Sequence, residues 1–163
     1  GVDACAVIEG LRKTRWEGRL ELLQRNPMLL VDGAHNPAGA ATLRRALIND
    51  FSYRRLWLIF GVLGDKDYRA MAKRLFPLAD RVILTRPDND RALPVDTLLP
   101  MAKALHGDVE VIENPGDALK QTLSRAGAKD LVCIAGSLYL VGEIKKLHQA
   151  GHRSDRAKVG GEQ

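Results

Sequence analysis

The sequence predicts an α/β protein with three layers: an open, mostly parallel sheet of about six strands, covered by helices on both faces. Short apolar runs alternate along the chain with longer segments whose apolar residues recur every three or four positions. The later runs are nearly continuous Val, Ile and Leu, which is typical of strands buried on both faces of a parallel sheet. Strands that alternate with helices in this way imply crossover connections.

Six segments have the composition of strands, and they are residues 20–23, 28–31, 56–60, 81–85, 109–112 and 131–135. Only the segment from Gln24 to Pro27 separates the first two strands. Because a gap of this length is too short for a helical crossover, we expect this pair to be antiparallel.

Helices are predicted around these strands, at residues 3–13, 37–49, 67–76, 95–105, 115–126 and 138–147. Two of them open with Asn-Pro, which supplies an N-cap and a proline at the first helical position. Ser137 is the expected cap of the last helix. Pro100 is expected to kink the helix at 95–105 or to mark its true start.

The chain has 163 residues, which is enough for one domain with its own core. We assign residues 1–147 to this domain and predict a disordered basic tail at residues 148–163, where the sequence is polar and rich in glycine. The chain begins without Met and enters a helix-like segment at once, which suggests a part of something longer.

Composition argues against several classes of function. The net charge of +5 comes largely from the end of the chain, and aromatic residues make up only 5%, so a nucleic-acid surface is not expected. No apolar run approaches the length of a membrane span. Cys5 and Cys133 indicate neither a disulfide framework nor a metal site, and they fit a reducing cytoplasm.

The segment VDGAHNP places functional side chains where a strand ends and a helix begins. Ligands of open α/β sheets bind beyond the carboxyl ends of the strands. Capping explains Asn36, but it leaves Asp32 and His35 unexplained, so we favour a functional role for that pair.

Two further strand ends carry candidate residues. In FGVLGDKDY, Lys66 follows two glycines and has the charge to meet a carboxylate or a phosphate, although a solvated turn explains the segment equally well. In IAGSLYLVGE, Ser137 opens the last helix. Capping accounts for this serine, and its hydroxyl is equally suited to hold a carboxylate.

Several catalytic motifs are absent from the sequence. It contains no GxGxxG and no phosphate loop of its own, and no HExxH, CxxC or GxSxG. The strand ends therefore supply half of an active site.

The segments RWEGRLEL, LLVDGAHNPAG, FGVLGDKDY and AGSLYLVGE together strongly resemble the C-terminal, Rossmann-like domain of folylpolyglutamate and dihydrofolate synthases, which belong to the Mur ligase superfamily. The resemblance covers nearly everything from about residue 3 to residue 147. Glu17 stands where this family usually has Pro, and Ala135 where it usually has Thr.

The resemblance implies an ATP-dependent ligase that adds L-glutamate to dihydropteroate or to folylpolyglutamate through an acyl phosphate. The partner would be an N-terminal domain with the phosphate loop and the Mg²⁺ ligands, so this chain is expected to be inactive alone. Arg19 would face the phosphates of ATP and Asp32 its ribose hydroxyls. His35 and Ser137 would handle the incoming glutamate, with His35 orienting or deprotonating its amine, and Lys66 would hold its α-carboxylate.

Two alternatives stay open. A phospho-receiver domain would use Asp32 as the phosphorylated residue and Lys66 beside it, although a receiver also needs an acidic pair where this chain has a single aspartate. A peptidoglycan Mur ligase would have the same fold, but the DGAHNP and SLYLVGE motifs favour the folate branch.

Overall fold

The computed structural model of the chain describes residues 18–159, so the helix predicted at residues 3–13 lies outside the described part. The strands are β1 Glu21–Arg25, β2 Met28–Val31, β3 Leu56–Phe60, β4 Arg81–Leu84, β5 Val109–Val111 and β6 Leu131–Ala135. The α-helices are α1 Pro37–Asn49, α2 Tyr68–Leu75, α3 Val95–Leu105, α4 Pro115–Arg125 and α5 Leu138–Val159, and a 3-10 turn, Phe76–Leu78, follows α2.

The strands form one six-stranded sheet in the order β1-β2-β6-β3-β4-β5. β1 pairs antiparallel with β2, and every other pair is parallel, which confirms the predicted fold class. β6 is the last strand in the chain and lies between β2 and β3, with Cys133 opposite both Leu30 and Leu58.

The two faces of the sheet bury separate apolar clusters. Leu30, Leu58 and Phe60 point to the face covered by α1, α2 and α3. Val31 and Ile134 point to the other face, which α4 and α5 cover. This alternation is the side-chain period of a strand, and the presence of helices on both sides explains why the central strands are apolar throughout.

The helices that follow β2 and β3 lie on one face, and the helix that follows β6 lies on the other. Where the helices that follow two neighbouring parallel strands pack on opposite faces of the sheet, a crevice opens between the strands at their carboxyl ends. This crevice is the usual ligand site of open α/β sheets. In this chain the crevice is flanked by β2, β6 and β3.

The structure corrects the predicted start of the first strand and decides between the two alternatives left open for Pro100. β1 begins at Glu21 rather than at Leu20, because Leu20 has a φ of +45°, outside the extended region. α3 spans the predicted residues Val95–Leu105 and contains Pro100, so this proline does not mark the start of the helix.

The last helix is longer than predicted, because α5 does not stop at Leu147 but continues to Val159. The disordered tail at residues 148–163 stays a prediction, and residues 160–163 lie outside the described part. The segment contains Ala, Gln, Lys and Arg, which are good helix formers, and no proline. Between residues 18 and 159 no helix is long and apolar enough to cross a membrane.

Candidate functional site

The carboxyl ends of β2, β6 and β3 are joined by a seam of backbone contacts. The Gly136 amide donates to the carbonyl of Ala34 at 3.1 Å, and the Gly61 amide donates to the carbonyl of Ala135 at 3.3 Å. Gly136 has a φ of +112°, and a methyl group there would overlap the carbonyl oxygen of Gly61. Only glycine can adopt this φ and also fit the short distance between residue 136 and the Gly61 carbonyl. The three loops that carry the predicted residues therefore meet at one edge.

Asp32 is buried at this edge, with 7% of its surface exposed. Its Oδ2 accepts from the Leu20 amide at 2.9 Å, and its Oδ1 accepts from the Ala34 amide at 2.8 Å. Burial raises the pKa of this carboxyl, while the two amides and the charges of Arg19 and His35 act in the opposite direction. Each carboxylate oxygen retains acceptor capacity beyond its one amide donor.

His35 lies half-buried behind Asp32, with its Nδ1 at 2.8 Å from the carbonyl oxygen of Gly33. A carbonyl oxygen only accepts, so the hydrogen bond requires the proton on Nδ1. In the neutral ring Nε2 then carries the lone pair, and among residues 18–151, whose side chains the structure describes, none donates a hydrogen bond to it. The imidazole is thus held in the tautomer that a proton acceptor at Nε2 needs.

Ser137 is 1% exposed and caps α5 as its sequence position predicted. Its Oγ accepts from the Tyr139 amide at 3.1 Å, and its carbonyl accepts from the Val141 amide at 3.1 Å. The hydroxyl proton is not used by either bond, so it stays available for a ligand oxygen.

Lys66 lies on the loop after β3, and its Nζ is 3.4 Å from Oδ2 of Asp65. The same oxygen is 3.6 Å from Nη1 of Arg91, on the loop after β4. The Gly64 amide donates to the Arg91 carbonyl at 2.8 Å, which joins the two loops. Among the described residues the ion-pair partner of Lys66 is Asp65 and not Asp32, contrary to what a receiver site requires.

Arg19 is exposed at the tip of a turn that precedes β1. Gly18 and Leu20 on either side both have positive φ, of +76° and +45°. The Gly33 amide donates to the Gly18 carbonyl, so the turn is bonded to the DGAHNP loop at two points, the other being Asp32. The structure thus brings Arg19 to Asp32, close enough for its charge to act on the carboxyl pKa.

Sequence reasoning missed three charged residues at this edge. Arg91 shares Asp65 with Lys66, and the strand-end rule would have singled out its loop because it follows β4. Glu21 accepts from the Gly18 amide at 3.3 Å and from Nζ of Lys145 at 2.8 Å. No local signal identifies this pair, since its two members lie far apart in the chain.

An open, mostly parallel sheet with polar groups at the carboxyl ends of its central strands is typical of ligand-binding α/β domains. Residues 18–138 match the model of the family described as Mur ligase, glutamate ligase domain. The chain belongs to this family.

The chain is 40% identical over 89% of its length to a probable bifunctional folylpolyglutamate synthase/dihydropteroate synthase of Halobacterium salinarum, of which it covers 18%. It is 36% identical over 86% of its length to the dihydrofolate synthase/folylpolyglutamate synthase of Bacillus subtilis, of which it covers 32%. A folylpolyglutamate synthase of Mycobacterium tuberculosis, solved with ADP and AMPPCP, superimposes with a TM-score of 0.78 at 33% identity over 90% of this chain and 35% of that one. The chain therefore spans about a third or less of these relatives.

Proposed function

We propose that this chain is the C-terminal domain of an ATP-dependent ligase that adds L-glutamate to dihydropteroate, to folylpolyglutamate or to both, and that it is inactive alone. The observation that supports this most is that hydrogen bonds join the loops carrying Arg19, Asp32, His35 and Ser137 at one edge of the sheet, in a domain of the glutamate ligase family. The names of the relatives support a reaction in folate metabolism. Membership of this family also argues against the alternative that the chain is a phospho-receiver domain.

The nucleotide side of the crevice is formed by Arg19 and Asp32. ATP supplies the phosphoryl group that activates the acceptor carboxylate. The exposed Arg19 guanidinium is a permanent positive charge that suits phosphate oxygens, and the acceptor capacity left on Asp32 suits the ribose hydroxyls. Because Asp32 also holds the Leu20 amide, the same carboxylate orients the turn that carries Arg19.

The glutamate side is formed by His35, Ser137 and Lys66. Nε2 of His35 has the lone pair to orient or deprotonate the attacking amine. The free Ser137 hydroxyl proton and the Lys66 ammonium suit carboxylate oxygens of the amino acid. Catalysis then comes from positioning and charge, assembled when the two domains close.

The rest of the site would come from an N-terminal domain with the phosphate loop. Among the residues whose side chains the structure describes, 18–151, no group of three or more His, Cys, Asp or Glu could hold a metal ion. As the family resemblance implies, the N-terminal domain would also supply the ligands of Mg²⁺. A peptidoglycan ligase would share this fold, and the folate assignment rests on the named relatives and on the DGAHNP and SLYLVGE motifs.

Titrating the chain with ATP tests the half-site directly. We expect amide NMR shifts around Arg19, Asp32 and Gly33, with a dissociation constant of about 1 mM or weaker, worth at most about 4 kcal/mol. We also expect no ATP hydrolysis, with or without glutamate. Glutamate-dependent hydrolysis by this chain would contradict the proposal, and shifts confined to residues 152–163 would indicate nonspecific attraction to phosphate.

A further inference from the structure

The turn that carries Arg19 is anchored from a second side, by α5. Oε2 of Glu21 accepts both from the Gly18 amide at 3.3 Å and from Nζ of Lys145 at 2.8 Å. Lys145 lies on α5, two turns after Ser137. The side chain of Leu138 occupies the place that a side chain at Gly33 would need, and it lies within van der Waals contact of the position a Cβ at Gly18 would take, so it packs against the same turn.

This anchoring matters because the turn is not held by its own backbone preferences. Leu20 has a φ of +45°, in a region that residues with a Cβ seldom adopt, whereas glycine adopts the +76° of Gly18 without strain. β1 begins only after the turn, so strand pairing does not fix the position of Arg19. Hydrogen bonds from outside the turn must therefore do so.

The ion pair has the properties of an anchor rather than of a mobile surface contact. The Lys145 side chain is 20% exposed and that of Glu21 is 34% exposed, so both are partly withdrawn from water. One oxygen of Glu21 receives both donors, which links the backbone of Gly18 directly to α5. The helix that presents Ser137 thus also holds the turn that presents Arg19.

We infer that Glu21 and Lys145 are positioning residues for Arg19, and that they hold its guanidinium in place for the phosphates of ATP. This inference rests on the proposed function, because it takes Arg19 to be a phosphate-binding residue. Neither residue touches a ligand in this assignment. Both act through the backbone of the Gly18–Leu20 turn.

The test uses the proposed full-length ligase and compares Lys145→Met, Glu21→Gln, the double variant and Lys145→Arg. A partly exposed ion pair limits the effect, so we expect the KM for ATP to rise about 2- to 5-fold in each charge-removing single variant. The KM for glutamate should stay unchanged. The double variant should be no worse than either single one, because both remove the same interaction. Lys145→Arg keeps the charge and should restore the parent KM.

Arg125→Met is the matched control. Arg125 and Glu110 form a pair of the same length, 2.8 Å, between α4 and β5 and away from the crevice, with side chains 35% and 37% exposed. Because Arg125 also lies over the Trp57 ring, Arg125→Met should lower the thermal midpoint at least as much as Lys145→Met does, without changing the KM for ATP. An effect of Lys145→Met on that KM no larger than that of Arg125→Met would overturn the positioning role, as would additive effects in the double variant.

Arg19→Ala separates this inference from the function on which it rests. If Arg19→Ala raises the KM for ATP but Lys145→Met and Glu21→Gln do not, only the positioning role is wrong. If Arg19→Ala leaves that KM unchanged, the phosphate role of Arg19 and the positioning role fail together.

Discussion

Replacing Asp32 by alanine should affect both the fold of the site and the use of ATP. The carboxylate is buried, and it is the acceptor for two backbone amides, those of Leu20 and Ala34. Alanine has no acceptor, so both amides would lose their partner. The Gly18–Leu20 turn would then keep only the Gly33–Gly18 hydrogen bond to the DGAHNP loop, so Arg19 would be held less firmly.

The size of the effect follows from these two hydrogen bonds. A buried donor left without an acceptor costs about 1–3 kcal/mol. Part of that loss is offset, because burial raises the pKa of Asp32 and so shows that the ionised carboxylate is itself costly to bury. We expect Asp32→Ala to lower the free energy of unfolding by about 2 kcal/mol and Asp32→Asn, which keeps one acceptor oxygen, by about 1 kcal/mol.

Urea unfolding followed by circular dichroism measures the stability of each variant of the chain. In the proposed full-length ligase, both substitutions should raise the KM for ATP more than the KM for glutamate. A loss of stability below about 0.5 kcal/mol for Asp32→Ala would mean that the carboxylate does not hold the turn. An unchanged KM for ATP together with a large glutamate effect would refute the ribose assignment.

The remaining predictions concern the residues proposed to bind glutamate and a buried aspartate at the amino ends of the parallel strands. Ser137→Ala and Lys66→Ala should raise the KM for glutamate more than that for ATP, and equal shifts in both would mean that these residues only hold the fold. Oδ2 of the buried Asp130 accepts from Arg55 at 2.8 Å and from Trp57 at 3.1 Å, so Asp130→Ala should cost about 3 kcal/mol in urea unfolding. Burial alone would raise the pKa of Asp130, but hydrogen bonds from Arg55, the Gly127 amide and Trp57 hold it below its usual value. Its contribution should therefore be complete above the unfolded pKa of about 3.9 and fade as the pH falls through the lower folded pKa, and a parent-minus-variant difference that grows on acidification would contradict this.

The elements of this fold are predictable because their signals are local. Continuous Val, Ile and Leu runs mark β3 and β6, which have the predicted bounds. The Asn-Pro openings of α1 and α4 are confirmed as caps, since Asn36 accepts from the Gly39 amide and Asn114 accepts from the Asp117 amide. In each case the residues that decide the structure lie within a few positions of one another.

The parts that could not be predicted depend on distant partners. The sequence near Leu20 does not show that its amide will be held by Asp32, so the late start of β1 was missed. The polar composition after Leu147 suggested a tail, although the same residues are good helix formers. The strand-end rule placed Asp32, His35, Lys66 and Ser137 on one edge without an alignment, but their roles toward ATP and glutamate stay predictions.

The position of β6 has a consequence for how the protein is made. Because β6 lies between β2 and β3, residues 18–130 contain a hairpin and a three-stranded sheet with nothing between them to pair their edges. Each half then presents an unpaired apolar strand until residues 131–135 have been synthesised. Contacts between β2 and β6 also span about a hundred residues of chain, which slows their formation. The sheet is therefore complete only once the final fifth of the chain is present. Until then the exposed strand edges of the first four fifths can be bound by chaperones.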